Sequence, residues 1–385
     1  MRCLLTKLRR FNYYDDMARA CHDNGIMAVS EYCENKEDGE KILDMIDRFR
    51  PDFILSHPAY SLIASRVGHL KGIPVLHWLA DKFINRDHLN RDIYTDTDFI
   101  FPTCREDTEL LRKIGVKASY MLNVCNLKPV HYHTEEKKYG VSFVGTIELG
   151  RNNYYRQVME AARETFNQDS ELHRSIFETM QNAFDAILQQ QKEAAQQFRY
   201  ILPELIAKTY EQIGPILLQS NIQPDNLAFL LAKETAFHQR RHFIEALPHL
   251  DAFGPEDWTK AELPNVRYWG EADQYRESGH VFGASRINLA IARIYAMDGL
   301  SDRIFNVLFA QGFLLANRQE TLSEVFQEGV DLEMYTTADE LLDKIRFYEN
   351  NPQAREKIAR QGHDNVVKNH TFTNRIREML PLLDR

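Results

Sequence analysis

The segment from Ser285 to Phe326, SRINLAIARIYAMDGLSDRIFNVLFAQGFLLANRQETLSEVF, constrains the fold more than any other part of the chain. A short apolar run, Ile287 to Ile291, is followed by a loop carrying Asp298, Gly299, Ser301, Asp302 and Arg303. A helical pattern begins at about Asp302 and stops at Gly312; a second apolar run, Phe313 to Asn317, leads into another helix. Strand, helix, strand, helix at this spacing calls for parallel strands joined by crossover helices. It also aims a helix N-terminus and the Arg303 guanidinium at the carboxyl edge of the sheet, where open parallel sheets hold phosphorylated ligands. A nucleotide diphosphate is the natural occupant of that crevice.

The same rhythm runs through the first third. A helix FNYYDDMARACHDNG closed by Gly25 leads to strand IMAVSEY, helix GEKILDMIDRF to strand FILSH, and helix YSLIASRVGHLKG to strand PVLHWLAD. Short, partly β-branched runs bounded by turn residues are the pattern of buried parallel strands. Strand DFIFPTC, helix EDTELLRKIG and strand ASYMLN complete an expected sheet of about six strands, opened by a short first strand, MRCLL. The 385 residues suit two domains plus an insertion. We place the first domain at 1–125 and a linker without apolar periodicity, NLKPVHYHTEEKKY, at 126–139. A second domain at 140–370 opens with strand VSFVGT, and a closing helix occupies 371–385. A glutamine-rich helical insertion occupies about 165–241 of the second domain and is a candidate for covering the cleft, binding an acceptor or joining a second subunit as a homo-oligomer.

The strings SRINLAI, DRIFNVLFAQGFLLAN, ETLSEVFQEG and ADELLDKIRFYENNPQAREKIARQGHDNVVKNHTFTNR together resemble the C-terminal half of CgeB-type glycosyltransferases, the spore-maturation-protein-like branch of the GT-B superfamily. The likeness covers the closing third of the chain and, more weakly, Gly140 to Arg156 and the N-terminal third. It implies an α/β chain of GT-B architecture, two Rossmann-like doubly wound domains facing each other across a cleft, with a closing helix that crosses back to the first. It further implies transfer of a sugar from a nucleotide diphosphate, UDP above all, to a hydroxyl on a glycan, lipid or protein.

That reaction builds negative charge on a leaving diphosphate, which preorganised N–H dipoles and arginines stabilise without a metal or other cofactor. Candidates for the donor site are Gly145 and Thr146 at the end of VSFVGT, where the family also has a VG(S/T) turn, and Arg151 just beyond. Others are Arg286 and Asn288 in SRIN, where the family usually carries Ser-Lys-Ile-Asn, Asp302, Arg303 and Asn306 in DRIFN, and Glu324 in TLSEVF. Related transferases place an acidic residue at the position of Asn306 to hold the ribose; an amide lacks the charge-assisted contact. Each has a bland reading too: an ordinary turn for Gly145, a strand start for Asn288, a capping pair for Asp302 and Arg303, a solvated helix residue for Glu324. The resemblance puts a catalytic base in the first domain, at strand ends. Asp81 is the first choice, with His77 and His57 behind it, although a histidine inside an apolar strand is more often a core residue.

Other signals are set aside. Asp96-Thr97-Asp98 precedes its strand, so it lies away from the ligand edge and not as a metal-binding D-x-D. His238 to His242 has histidines at i and i+4 without the glutamate of a zinc site and reads as a solvated helix face, and His131-Tyr132-His133 reads as polar loop. The balance of 47 basic and 56 acidic residues, net charge −9, lacks a basic track for nucleic acid. Five cysteines without C-x-x-C spacing read as reduced thiols. With no signal-peptide core and no uncharged apolar window of about 18 residues, the expectation is a cytoplasmic protein, peripheral at most to the inner face of the membrane. Two rivals remain open: a nucleotide-sugar epimerase of the same architecture and a catalytically silent surface-assembly scaffold.

Overall fold

A computed structural model describes residues 1–83, 87–149, 154–167, 170–219 and 222–383. Its frame is two parallel sheets. The first contains β1 (Arg2–Lys7), β2 (Met27–Tyr32), β3 (Phe53–Ser56), β4 (Val75–Trp78) and β5 (Asp98–Phe101), in the order β2-β1-β3-β4-β5. The second contains β6 (Tyr139–Val144), β7 (Leu250–Phe253), β8 (Val266–Tyr268), β9 (Ser285–Ala290), β10 (Leu314–Asn317) and β11 (Glu333–Tyr335), in the order β11-β10-β9-β6-β7-β8. Helices on the crossovers cover both faces, which is why the strands read as unbroken apolar runs.

Two strand expectations change. The short opening run becomes β1, a central strand that pairs with both β2 and β3 and buries Cys3, Leu4 and Leu5 completely. The expected sixth strand, ASYMLN, shrinks to a single bridge between Ile100 and Ala118. Ile100 N donates to Lys117 O and Ser119 N to Ile100 O, but the next donor on the β5 side would be Pro102, which has no N–H; Met121 N still donates to Pro102 O at 2.9 Å, so the ladder continues with that bond missing.

Between β6 and β7 the chain runs through helices Tyr154–Asn167, Glu171–Ala195, Leu202–Gln219 and Pro224–Glu245, a wider span than 165–241. They share a core of Met180, Phe184, Ile187, Leu202, Leu217 and Leu227, while Phe237, Phe243 and Ile244 of the last helix join the core of the second sheet. None of the helices among the described residues is long and apolar enough to cross a membrane, and all five cysteines are buried free thiols.

Helix Pro352–Asn369 ends at His370, and a capping box of Thr371 and Asn374 starts helix Phe372–Met379. Its Phe372, Ile376 and Met379 pack with Tyr13, Met17 and Trp78, so the last helix lies on the first domain. Asn24 Nδ2 donates to Thr373 O at 2.9 Å across that contact.

Candidate active site at the interdomain cleft

At the carboxyl end of β6 the backbone turns through Gly145 with φ 152°, a conformation side chains rarely adopt. Gly145 N donates to Phe253 O at 2.7 Å and Gly145 O accepts from Trp258 Nε1 at 2.8 Å, fixing the turn against β7. The space where a Cβ would stand is filled: Arg303 Nη2 would lie 2.3 Å from it. Arg303 comes from the first turn of helix Asp302–Phe309, and its guanidinium lies over the Phe143 ring, 4.9 Å from the centroid. It makes no hydrogen bond or ion pair among the described residues. Burial, and after it repulsion from Arg240, pushes its pKa down to about 9.

The neighbouring cations are paired. Glu148, 3% exposed, receives Arg293 Nε at 2.7 Å, Arg240 Nη1 at 3.1 Å and Lys233 Nζ at 3.1 Å. Burial alone would raise its carboxyl, yet Arg240, Arg293 and Lys233 together hold it down, at about 2. Arg240 also donates to Thr146 O at 2.5 Å and Ile291 O at 3.3 Å, so it ties the β6 turn to the end of β9. Arg293 reaches across the cleft to Asp81 Oδ1 of the first domain at 3.5 Å. Asp302 Oδ2 accepts from Asn126 Nδ2 at 3.0 Å and from Gln274 Nε2. Four cations thus converge on one edge, and among the described residues Arg303 is the one of these four without a counter-ion.

The structure brings Gly145, Thr146, Asp302, Arg303 and Asp81 together at this edge; Arg151 lies outside the described residues. Other candidates lie elsewhere. Arg286 is exposed near the amino end of β9, the edge opposite the turn. Asn288 is buried mid-strand, donating to Phe282 O and Phe313 O and accepting from Ser142 Oγ. Asn306 is 2% exposed; its Oδ1 accepts from Asn126 N at 2.9 Å and its Nδ2 donates to Asn126 Oδ1 at 2.7 Å, so the amide fastens the interdomain linker instead of facing a ribose. Glu324 is ion-paired with Arg105 of the first domain, one contact being 3.0 Å.

Of the candidate bases, His77 is fully buried. Its Nδ1 accepts from Ser61 N at 3.4 Å and its Nε2 lies 3.1 Å from Asp98 Oδ1, so both nitrogens are occupied in the core. His57 is 5% exposed and its ring lies 4.4 Å from that of Trp78. Its Nδ1 lies 2.9 Å from Trp78 O, which can only accept, so the proton sits on Nδ1; burial pushes the ring down to about 4. Asp81 alone among the three has a carboxylate open to solvent, at 84%.

The helix read as a solvated face, His238 to His242, is not one. Gln239 and Arg240 are each 2% exposed, because this side of the helix lies against the second sheet. Lys233 and Arg240 are seven residues apart, two turns of one helical face, a spacing by which the sequence could have linked them. Arg293 lies just beyond Ile291 and Ala292, which follow the carboxyl end of β9, where the strand-edge rule would have found it. Glu148 carried no signal beyond its nearness to Gly145. The Asp98 carboxylate is taken up by His77, Ser65 and Thr95, and Tyr132 of the linker is buried at 3% exposure instead of solvated.

Residues 238–381 match the family model described as glycosyl transferase-like. No curated protein matches the chain. Among solved structures it is similar to HepE of Anabaena, crystallised with UDP and glucose, at 10% identity and TM-score 0.52 over 100% of this chain and 99% of that one. It is also similar to sucrose-phosphate synthase of Thermosynechococcus elongatus, at 10% identity and TM-score 0.53 over 100% and 99%. A third is AviGT4, a glycosyltransferase of avilamycin A biosynthesis, at 10% identity and TM-score 0.51 over 100% and 97%. The chain therefore has the two-sheet GT-B glycosyltransferase fold, and the part of it that supplies Arg240, Arg293 and Arg303 carries the glycosyl transferase-like sequence pattern.

Proposed function

We propose that the protein is a glycosyltransferase that moves a sugar from a UDP-sugar to an acceptor hydroxyl on a glycan, lipid or protein. The observation that carries this reading is the Arg303 guanidinium, held over Gly145 at the sheet edge with no hydrogen-bond or ion-pair partner among the described residues. A diphosphate there accepts from Arg303 and from the open N–H groups at the start of helix Asp302–Phe309. Support also comes from HepE, a protein of similar fold whose structure was solved with UDP-glucose, and from the CgeB-like strings of the sequence.

In this reading the cations do the work of a metal. As the bond from the anomeric carbon to the diphosphate oxygen breaks, the growing negative charge meets Arg303, which is already desolvated and has no other bond to give up. Arg240 and Arg293, clamped by Glu148, keep the turn at Gly145 and Thr146 in place. Asp81, across the cleft and steadied by Arg293, takes the proton of the attacking hydroxyl.

The test is calorimetry with UDP and UDP-glucose on the wild type and on Arg303→Ala. We expect the variant to lose about 2 kcal/mol or more of UDP affinity, the scale of a charge-assisted contact to an anion. Unchanged binding in a folded Arg303→Ala protein overturns the assignment. Asp81→Asn is expected to depress turnover and leave UDP affinity in place; loss of both would make Asp81 a structural residue.

A further inference from the structure

Beside the cleft lies a second cavity of about 330 Å³, closed on one side by the first domain and on the other by the helices between β6 and β7. That volume is in the range of small-molecule sites. Phe83 and Asp107 belong to the first-domain wall, Ile206, Tyr210 and Ala228 to the helical wall, and Tyr295 closes the end toward the second sheet. Tyr295 places the cavity next to the donor edge, for its hydroxyl accepts from Lys233 Nζ at 3.0 Å, and the same ammonium lies 3.1 Å from Glu148.

We propose that this cavity receives the apolar ring or short acyl portion of the acceptor, with Asp107 accepting a hydrogen bond from the acceptor's hydroxyl. The proposal rests on the donor reading above and adds to it the chemical class of the acceptor: a glycoside or alcohol with an apolar aglycone, not a bare polyol. The walls argue for that class. Lys82, Glu106 and Asp225 also line the cavity, the Lys82 ammonium being held by Glu106 and Asp298. Apart from these and Asp107 the wall is aliphatic and aromatic, and each hydroxyl placed against that part loses its hydrogen bonds to water. The aromatic rings instead give stacking surface to a planar group. The size excludes a folded protein or a long acyl chain as the bound portion.

Asp107 supplies a polar group with a free oxygen on the first-domain wall. Its Oδ2 accepts from Phe83 N at 2.9 Å, and Oδ1 has no hydrogen bond among the described residues. Burial pushes this carboxyl up to about 7, with the Phe83 N–H and the Lys82 ammonium pulling it down and the Asp298 and Glu106 carboxylates pushing it up, so it changes charge near neutral pH.

The experiment is calorimetric titration of the UDP-saturated protein with p-nitrophenyl β-D-glucoside and, as the control without an apolar aglycone, methyl β-D-glucoside. We expect the nitrophenyl glycoside to bind and the methyl glycoside to bind at least about tenfold more weakly. Ala228→Phe, which fills the cavity, should remove the nitrophenyl binding while UDP affinity stays unchanged. Ala207→Trp, on an exposed part of the same wall, is the second variant should the first fail to fold. Asp107→Asn should flatten the pH dependence of nitrophenyl glycoside binding around pH 7, which a purely structural role would not do. Equal binding of the two glycosides, no binding of the nitrophenyl one, or binding that survives both cavity substitutions overturns the proposal. Failure of the wild type to bind UDP in the preceding titration would instead count against the donor reading.

Discussion

Glu148 shows how a single side chain sets the charge of the site. Its carboxylate is shared by Lys233, Arg240 and Arg293, so the Glu148→Gln substitution leaves three buried or half-buried cations facing a neutral amide. Breaking a buried ion pair by removing one partner costs about 3–5 kcal/mol. We expect Glu148→Gln to fall in that range in urea unfolding, and a loss below about 1 kcal/mol, the scale of exposed pairs, would mean that water already screens the cluster. Asn306 makes the opposite case. An aspartate there could no longer donate to Asn126 Oδ1, so Asn306→Asp should destabilise the fold by about 1–3 kcal/mol while UDP affinity changes little; a gain in UDP affinity would restore the ribose-binding role to this position. Gly145 and Arg303 were legible in the sequence because both sit in short motifs whose chemistry is local. Lys233 and Arg240 were not, since only the folding of helix Pro224–Glu245 against the second sheet turns an ordinary pair of helix cations inward. Asn306 misled because a residue type was matched to a role before its neighbour, Asn126, was known.

Among the elements, the strands were the most legible and their pairing the least. Phe53–Ser56 and Val75–Trp78 announce themselves as apolar runs between turn residues, but nothing in those runs says that β1 lies between β2 and β3. The run ASYMLN carries strand-like residues and fails for a reason on its neighbour, the missing N–H of Pro102. The closing helix was expected from the family resemblance, and what the sequence did not show is that two neutral histidines stand at its two sides. His57 lies 6.2 Å from the Phe372 ring, centroid to centroid, and His370 Nδ1 accepts from Arg375 Nη2 at 2.7 Å. Burial pushes both rings down to about 4, with Arg375 adding to the effect at His370. As pH falls below the ordinary value of 6.5, the unfolded chain takes up protons that the folded one refuses. Stability is therefore lost between pH 6.5 and about 4, at up to about 1.4 kcal/mol per pH unit for each histidine. Urea midpoints measured from pH 7 to pH 5 should fall accordingly, and His57→Gln should flatten that slope; an unaltered slope would show that the ring is hydrated in the folded state.

On the scale of the whole molecule, many of the contacts between the two domains gather on one loop, in addition to the closing helix and the Arg293–Asp81 pair. Asp298 accepts from Lys82 Nζ at 3.1 Å and from Glu106 N at 2.9 Å, and Cys104 bridges to Gly299. Asn123 Nδ2 donates to Leu300 O at 3.0 Å, and Arg105 meets Glu324 one helix further on. This loop leads directly into helix Asp302–Phe309, so the position of the first domain and the aim of Arg303 are mechanically joined. The Arg105–Glu324 pair is exposed, and such pairs contribute only about 0–1 kcal/mol and are screened by salt, whereas Lys82–Asp298 is more buried and screened less; the arrangement is one that ligand binding can shift. Small-angle scattering should show the protein expanding as salt rises from low to about 1 M, where the screening length falls to about 3 Å. The double variant Asp298→Asn, Glu324→Gln should already be expanded at low salt. UDP bound between Arg303 and the cleft should oppose that expansion in the wild type and less so in the variant, because a ligand shifts only an equilibrium whose two states it binds differently. Identical scattering from wild type and variant at every salt concentration would mean that the C-terminal helix and the buried Asn126–Asn306 pair hold the domains without help from the charged loop.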